Sequence, residues 1–287
     1  MRLLSLIKPS ASAILIGACL AVTACERPAF MDDKRSSQTQ RVAVRLVYDP
    51  LLRAYLRQSK KAFEKEVPTV SGGRRVELEL IEMPALRAAK ELASGKLKVE
   101  AWLAPSQALI NYTNAHLINL GAPQTDCTHL FRSPYVLATR REDILELGAQ
   151  AQLSWPYVAS IINTSKGPGR APILMHTHPL RAISGPGNLI QLAGLAFKQQ
   201  DAPLSVADFE KGSQGLDQLR SIENMVSSYG DNDQDLLKRA EKPSSVFRPL
   251  VLTTEQQMVQ FNLSSNPPLA AIYLSEGSAW QEYALCR

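Results

Sequence analysis

The chain is poor in what most specialised classes need. Aromatic residues make up 6% of it, and none is interleaved with its basic clusters. Those clusters (RQSKK, SGGRR, ATRRED, LLKRAEK) are short and often stand beside acids. They read as solvated faces rather than a nucleic-acid platform, so no nucleic-acid partner is expected. The longest apolar run, Ala11 to Val22, is broken by Ser12 and falls short of the roughly 20 residues that cross a bilayer. There is no internal repeat. A nucleophile elbow, a phosphate loop and a zinc-protease helix are all missing; AISGPG has a serine before glycine but lacks the glycine two residues earlier. The sequence therefore predicts no enzyme and no cofactor.

Cysteine is also scarce, with four in 287 residues. One stands at the end of the apolar run: Arg2 and Lys8 precede that run, and Thr23, Ala24 and Cys25 close it. Val22-Thr23-Ala24-Cys25 resembles the bacterial lipobox, which implies that residues 1–24 are a lipoprotein signal and that Cys25 carries lipid as the first mature residue. An ordinary signal with an incidental cysteine is the alternative. Residues 25–41 are polar and aperiodic, as in a flexible tether. Glu26 stands where bacterial sorting would want Asp for inner-membrane retention, so the resemblance favours the outer membrane, if the source has one. Without Arg2 and Lys8 the net charge falls from +5 to +3. Cys19 would leave with the signal, and Cys127 and Cys286 remain as an even pair in an oxidising compartment. A disulfide between them is expected; two free buried thiols are the alternative.

What is present is an alternating α/β pattern. RVAVRLVY (about 42–48) is a strand, and DPLLRAYLRQSKKAFEKE a helix capped by Asp49 with Pro50 in its first turn. RRVELELIE and VEAWLAP continue as strands, with helices after Pro84 and Ser106, which predicts a parallel sheet covered by helices. Beyond 133, SPYVLATRR, ILMHTHP, PLVLTT and LAAIYL read as strands. WPYVASII, NLIQLAGLAFKQ and TEQQMVQFN read as helices. Residues 204–241 read as polar helix broken at YGDND.

Four junctions put a small polar residue between a strand and a helix: VYDP, WLAPSQ, AISGPGN and LTTEQQ. Free N–H groups at such helix starts can face an anionic ligand, or each can be an ordinary cap; Thr254 with Gln257 fits a capping box. The ordered set EAWLAPSQALI, SPYVLATRR, HPLRAISGPGNLIQLAGLA, TTEQQMVQFN and AIYLSEGSAWQEY resembles bacterial extracellular solute-binding proteins of the type II, molybdate-binding-like class, closest to the branch associated with von Willebrand factor A domains. That resemblance implies a two-lobed α/β fold with mixed sheets and a ligand cleft between lobes. Lobe 1 would be 42–130, and lobe 2 would be 131–287 with the crossover strands, leaving the C-terminal part of lobe 1 shortened. Ser106, Ser133, Ser184, Gly185 and Thr254 would line the cleft. A small solute, an oxyanion favoured, would be captured for an ABC-type permease or a von Willebrand factor A domain partner; an interaction or envelope-assembly module without transport is the alternative.

Tyr48-Asp49 departs from the family, which has two small hydroxyl residues there. A cleft carboxylate would suit a cation, an amine or a hydroxylated solute; capping of its own helix is the other role open to Asp49. His176 and His178 alternate and could share a face, yet a third metal ligand is not evident, and no metal is expected.

Overall fold

The computed structural model describes residues 41–122, 124–147, 153–164, 171–197, 214–244 and 246–287. The signal, Cys25 and almost all of the tether lie outside these residues.

β-Branched alternation makes β1 (Arg41–Tyr48) a central strand. It pairs in parallel with β3 (Arg74–Glu82) on one side and β4 (Ala101–Ala104) on the other. A two-residue strand, β2 (Thr69–Val70), edges β3. Leu46, Tyr48 and Leu103 pack on Leu52 and Leu56 from the turn Pro50–Leu52 and α1 (Arg53–Lys65). Val47, Trp102 and Ala104 face the other way. There they meet Ala88 and Ala89 of α2 (Ala85–Ala93) and Ile110 of α3 (Gln107–Asn119).

The sheet continues through β10 (Trp280–Cys286), antiparallel to β4, into β5 (Cys127–Arg140). β5 has 14 residues and changes partners midway. Residues 127–134 bond to β10; residues 135–140 bond to β8 (Phe247–Thr254) and β9 (Leu269–Ile272). Pro134, which has no N–H to give a ladder, stands at the change. Beyond β8 come β6 (Ala171–Thr177) and β7 (Val226–Gly230), both parallel. The full order is β2-β3-β1-β4-β10-β5-β8-β6-β7, with β9 beside β5.

The second half carries α4 (Arg141–Glu146), α5 (Trp155–Thr164), α6 (Ser184–Phe197), α7 (Gln214–Glu223), α8 (Asp233–Glu241) and α9 (Glu255–Asn262). Leu137, Trp155, Leu174, Leu192, Leu250 and Leu252 make one core; Met175, Leu236, Leu237, Val251 and Phe261 make another on the opposite face. Residues 39–287 form one compact unit. The expected disulfide joins Cys127 to Cys286, which are paired across β5 and β10.

Two expectations are corrected. Within the segment expected to be helical, VSSYG is the strand β7. It pairs on one side only, and Ser227 and Tyr229 face solvent, so it lacks the apolar alternation that marks a strand. β1 also starts at Arg41, inside the expected tether.

Candidate functional site

Orphan N–H groups at the helix starts are the potential anion site. The turn Pro50–Leu52 and the starts of α2, α3, α8 and α9 are each met by a side-chain oxygen of this chain. Asp49 Oδ1 accepts from Leu51 N (3.0 Å) and Oδ2 from Ala85 N (2.8 Å), so one carboxylate serves two helices. Ser106 Oγ accepts from Ala108 N (3.1 Å), at the partly exposed end of β4. Ser133 Oγ accepts from Gln256 N (2.9 Å), and Thr254 Oγ1 from Gln257 N (3.4 Å). Asn232 Oδ1 accepts from Asp235 N (2.9 Å). Asp49 is buried; burial raises its pKa, its two N–H donors pull the other way, and Asp233 pushes it up further.

Asp233, at the start of α8, is fully buried and is the focus of a second group. Ser184 Oγ donates to its Oδ2 (2.5 Å) and Thr253 Oγ1 to its Oδ1 (2.6 Å), lengths typical of hydroxyl–carboxylate bonds. A hydroxyl has one proton. With that of Ser184 committed to Asp233, the 2.8 Å contact between Thr177 Oγ1 and Ser184 Oγ must be donated by Thr177. Thr177 then can only accept from Asn188, and Asn188 Nδ2 lies 3.2 Å away. The amide is thereby oriented, and Asn188 Oδ1, fully buried, has no partner among the described residues. Burial raises the Asp233 pKa against the hydrogen bonds from Ser184 and Thr253.

A chain of amides and phenols fills the seam between the halves. Tyr135 Oη donates to Gln281 Oε1 (3.2 Å), Gln281 Nε2 to Tyr283 Oη (2.8 Å), and Tyr283 Oη to Gln256 Oε1 (3.3 Å). Gln257 does not complete the capping box with its side chain. Its Nε2 reaches across to Leu51 O (3.5 Å), while its Oε1 accepts from Gln234 (3.2 Å). Burial holds the Tyr135 and Tyr283 phenols far above their usual range, aided by the charge of Asp233 on both and of Asp49 on Tyr283. Tyr48 donates to Glu82 (3.2 Å), and the guanidinium of Arg53 is engaged by the same carboxylate.

Of the residues expected from sequence, Asp49, Ser133, Ser184 and Thr254 are buried at the carboxyl-end seam, and Tyr48 is buried beside them. Ser106 keeps to local bonds. Gly185 is there for close approach: a Cβ on it would lie 2.5 Å from the His178 carbonyl oxygen. Sequence reasoning missed Tyr135, Thr177, Asn188, Asp233, Gln256, Gln281 and Tyr283. No pattern in the sequence marks them: on β10, Gln281 is buried beside Tyr283 and polar residues do not sort to one face.

The two histidines do not pair. His176 is buried, with Nδ1 on Thr177 O (2.9 Å) and Nε2 on Glu223 Oε1 (3.1 Å), whereas His178 Nδ1 accepts from Leu180 N (3.1 Å). Burial pushes the Glu223 carboxyl up, but hydrogen bonds from His176 and Tyr229 outweigh it and hold the pKa low. Among the described residues no group of three or more His, Cys, Asp or Glu could hold a metal ion. A surface cavity lined by Arg41, Glu64, Arg75, Val76 and Glu77 lies at the opposite, N-terminal ends of β1 and β3.

Two parallel half-sheets tied by β5 and β10, with polar residues at the strand ends between them, define an architecture found in solved structures. The sulfate-binding protein SubI from Mycobacterium tuberculosis H37Rv superposes with a TM-score of 0.57 at 13% identity, over 85% of this chain and 75% of that one. This is the type II periplasmic-binding-protein fold. The periplasmic binding protein AfuA from Actinobacillus pleuropneumoniae, determined with fructose-6-phosphate bound, gives 0.53 at 11% identity, over 86% and 73%. The periplasmic binding protein P5PA gives 0.50 at 11%, over 86% and 73%. No family model matches the chain, and no curated protein matches it in sequence.

Proposed function

We propose that this chain is a lipid-anchored, extracytoplasmic solute-binding protein that holds one small polar solute between its two halves and converts nothing. One observation carries the reading. Buried polar side chains from both halves converge where β1, β6 and β8 end, and ligands of open α/β sheets lie at such carboxyl ends. The two lobes would be residues 41–133 with 280–287, and residues 134–279. They would hinge on β5 and on the segment joining β9 to β10. Lipid on Cys25 would keep the protein in the cell envelope, at the outer membrane if there is one. A partner, an ABC-type permease or a von Willebrand factor A domain protein, would read the closed form.

The test is thermal melting of the purified full-length protein against panels of oxyanions, amines and sugars. A ligand at about 100 times its Kd adds about 2.7 kcal/mol, a shift of several degrees for a chain of this size. No shift with any panel from a folded sample would overturn the reading. Membrane release of Cys25→Ser tests the anchor separately.

A second reading has its own support. The chain's own oxygens satisfy the helix starts at Leu51, Ala85 and Gln257, and Gln257 bridges the halves. This suits an interaction module that keeps the fold with its seam filled, and silence across all panels is what it expects.

A further inference from the structure

We infer that the end of the first half where the tether enters is a surface that docks on anionic lipid headgroups; the inference rests on the lipid-anchor reading and gives that anchor an orientation. Two basic clusters, RQSKK and SGGRR, are separate in sequence and meet at this end in the fold. β1 and β3 both start there, with Arg41 beside Arg75, and Arg74 pairs with Val70 of β2. α1 joins the far end of β1 to the start of β3, so its last turn returns to the same place. Glu64 of that turn lines a cavity of about 310 Å³ together with Arg41, Arg75, Val76 and Glu77.

Positive charge is left over here. Glu77 is drawn by Arg41 (3.5 Å) and Glu64 by Lys60 (3.6 Å). Lys61, Lys65 and Arg75 have no ion-pair partner among the described residues, and Arg74 Nε donates to a carbonyl, Ser71 O (3.4 Å). Against these four cations the connection 66–73 adds a single acid, Glu66. The same connection holds two apolar side chains in water. Val67 is 53% exposed at φ 47°, a sign of φ that β-branched residues avoid, and Val70 is 39% exposed. Free cations around exposed apolar tips match an anionic bilayer, where each basic residue strengthens attachment about fivefold. Fifteen residues separate Cys25 from Arg41, so lipid and surface stand at most about 60 Å apart. A patch tethered that closely orients the protein without having to hold it alone. With this end on the bilayer, β1, β3 and β4 run away from it, and their carboxyl ends face the aqueous side.

Co-sedimentation of full-length Cys25→Ser with vesicles tests the surface without its lipid. Phosphatidylcholine vesicles are compared with vesicles containing phosphatidylglycerol, at low and high salt. Stronger binding to the anionic vesicles, lost at high salt, is expected. Arg74→Glu with Arg75→Glu should weaken it at least tenfold with the melting curve unchanged. Should that variant fail to fold, Lys61→Glu with Lys65→Glu on α1 is expected to do the same. All these proteins share one N-terminal apolar run, so the difference between them reads the basic surface. Binding no stronger than to phosphatidylcholine, or unchanged in a folded variant, would overturn the surface. Mass spectrometry of Cys25 in the parent decides the anchor separately. Lipid on Cys25 without charge-dependent vesicle binding removes the surface and leaves the anchor; unmodified Cys25 with such binding removes the anchor and leaves the surface.

Discussion

At the scale of single residues, Asp233 and Gly187 make the sharpest claims. Burial raises the Asp233 carboxyl in the folded chain above its unfolded value. Its contribution to stability is therefore fully present below about pH 4 and is lost as pH rises through the folded-state value. Asparagine cannot titrate, so the melting temperature of Asp233→Asn relative to the parent should climb between pH 4 and pH 8. A difference that stays flat with pH would mean that the carboxylate is not buried as charge. Gly187 lies against Tyr135: a Cβ there would fall on the phenol oxygen and ring, and that ring is fixed by its bond to Gln281 and by the core. Gly187→Ala should cost about 1–3 kcal/mol by urea denaturation, the usual range for overpacking. Asp49 was legible as a cap for its own helix. Its second role at Ala85 was not, because Asp49 and Ala85, 36 residues apart, meet only in the fold.

At the scale of elements, most of the first half could be read directly. β1, β3 and β4 and the helices between them announce themselves by alternation, by Asp49-Pro50 and by Pro84. The seam elements did not. β10 buries Gln281 together with Tyr283, so its polar and apolar residues do not sort by face, and the first half of β5 is largely exposed. The disulfide staples those same two strands. It closes a loop across 159 residues, and Asp126 and Arg287 extend the staple with a reciprocal backbone pair and an ion pair. In the chain-entropy model such a loop is worth up to about 5 kcal/mol. Cys127→Ser with Cys286→Ser should lose most of that in urea unfolding, and the double variant should no longer respond to dithiothreitol.

At the scale of the whole molecule, one continuous strand shared by both halves favours a single unfolding event. Trp102 is buried in the first half and Trp155 in the second, whereas Trp280 is half exposed on β10. Trp102→Phe and Trp155→Phe, each leaving the other half's reporter, should give fluorescence curves that coincide with the far-ultraviolet dichroism of the same variant. Fluorescence and dichroism midpoints separated by more than the fitting error would show halves that melt independently.

β10 has a further consequence, in time. β4 leaves the ribosome with its outer edge bare, and the strand that covers it is made 176 residues later, between Ala104 and Trp280. At usual elongation rates that is roughly 10–35 s during which an apolar, unpaired edge stands open to any neighbouring chain. The nascent protein therefore depends on being kept unfolded or escorted until β10 arrives, and any truncation that removes β10 should yield inclusion bodies rather than a smaller soluble domain.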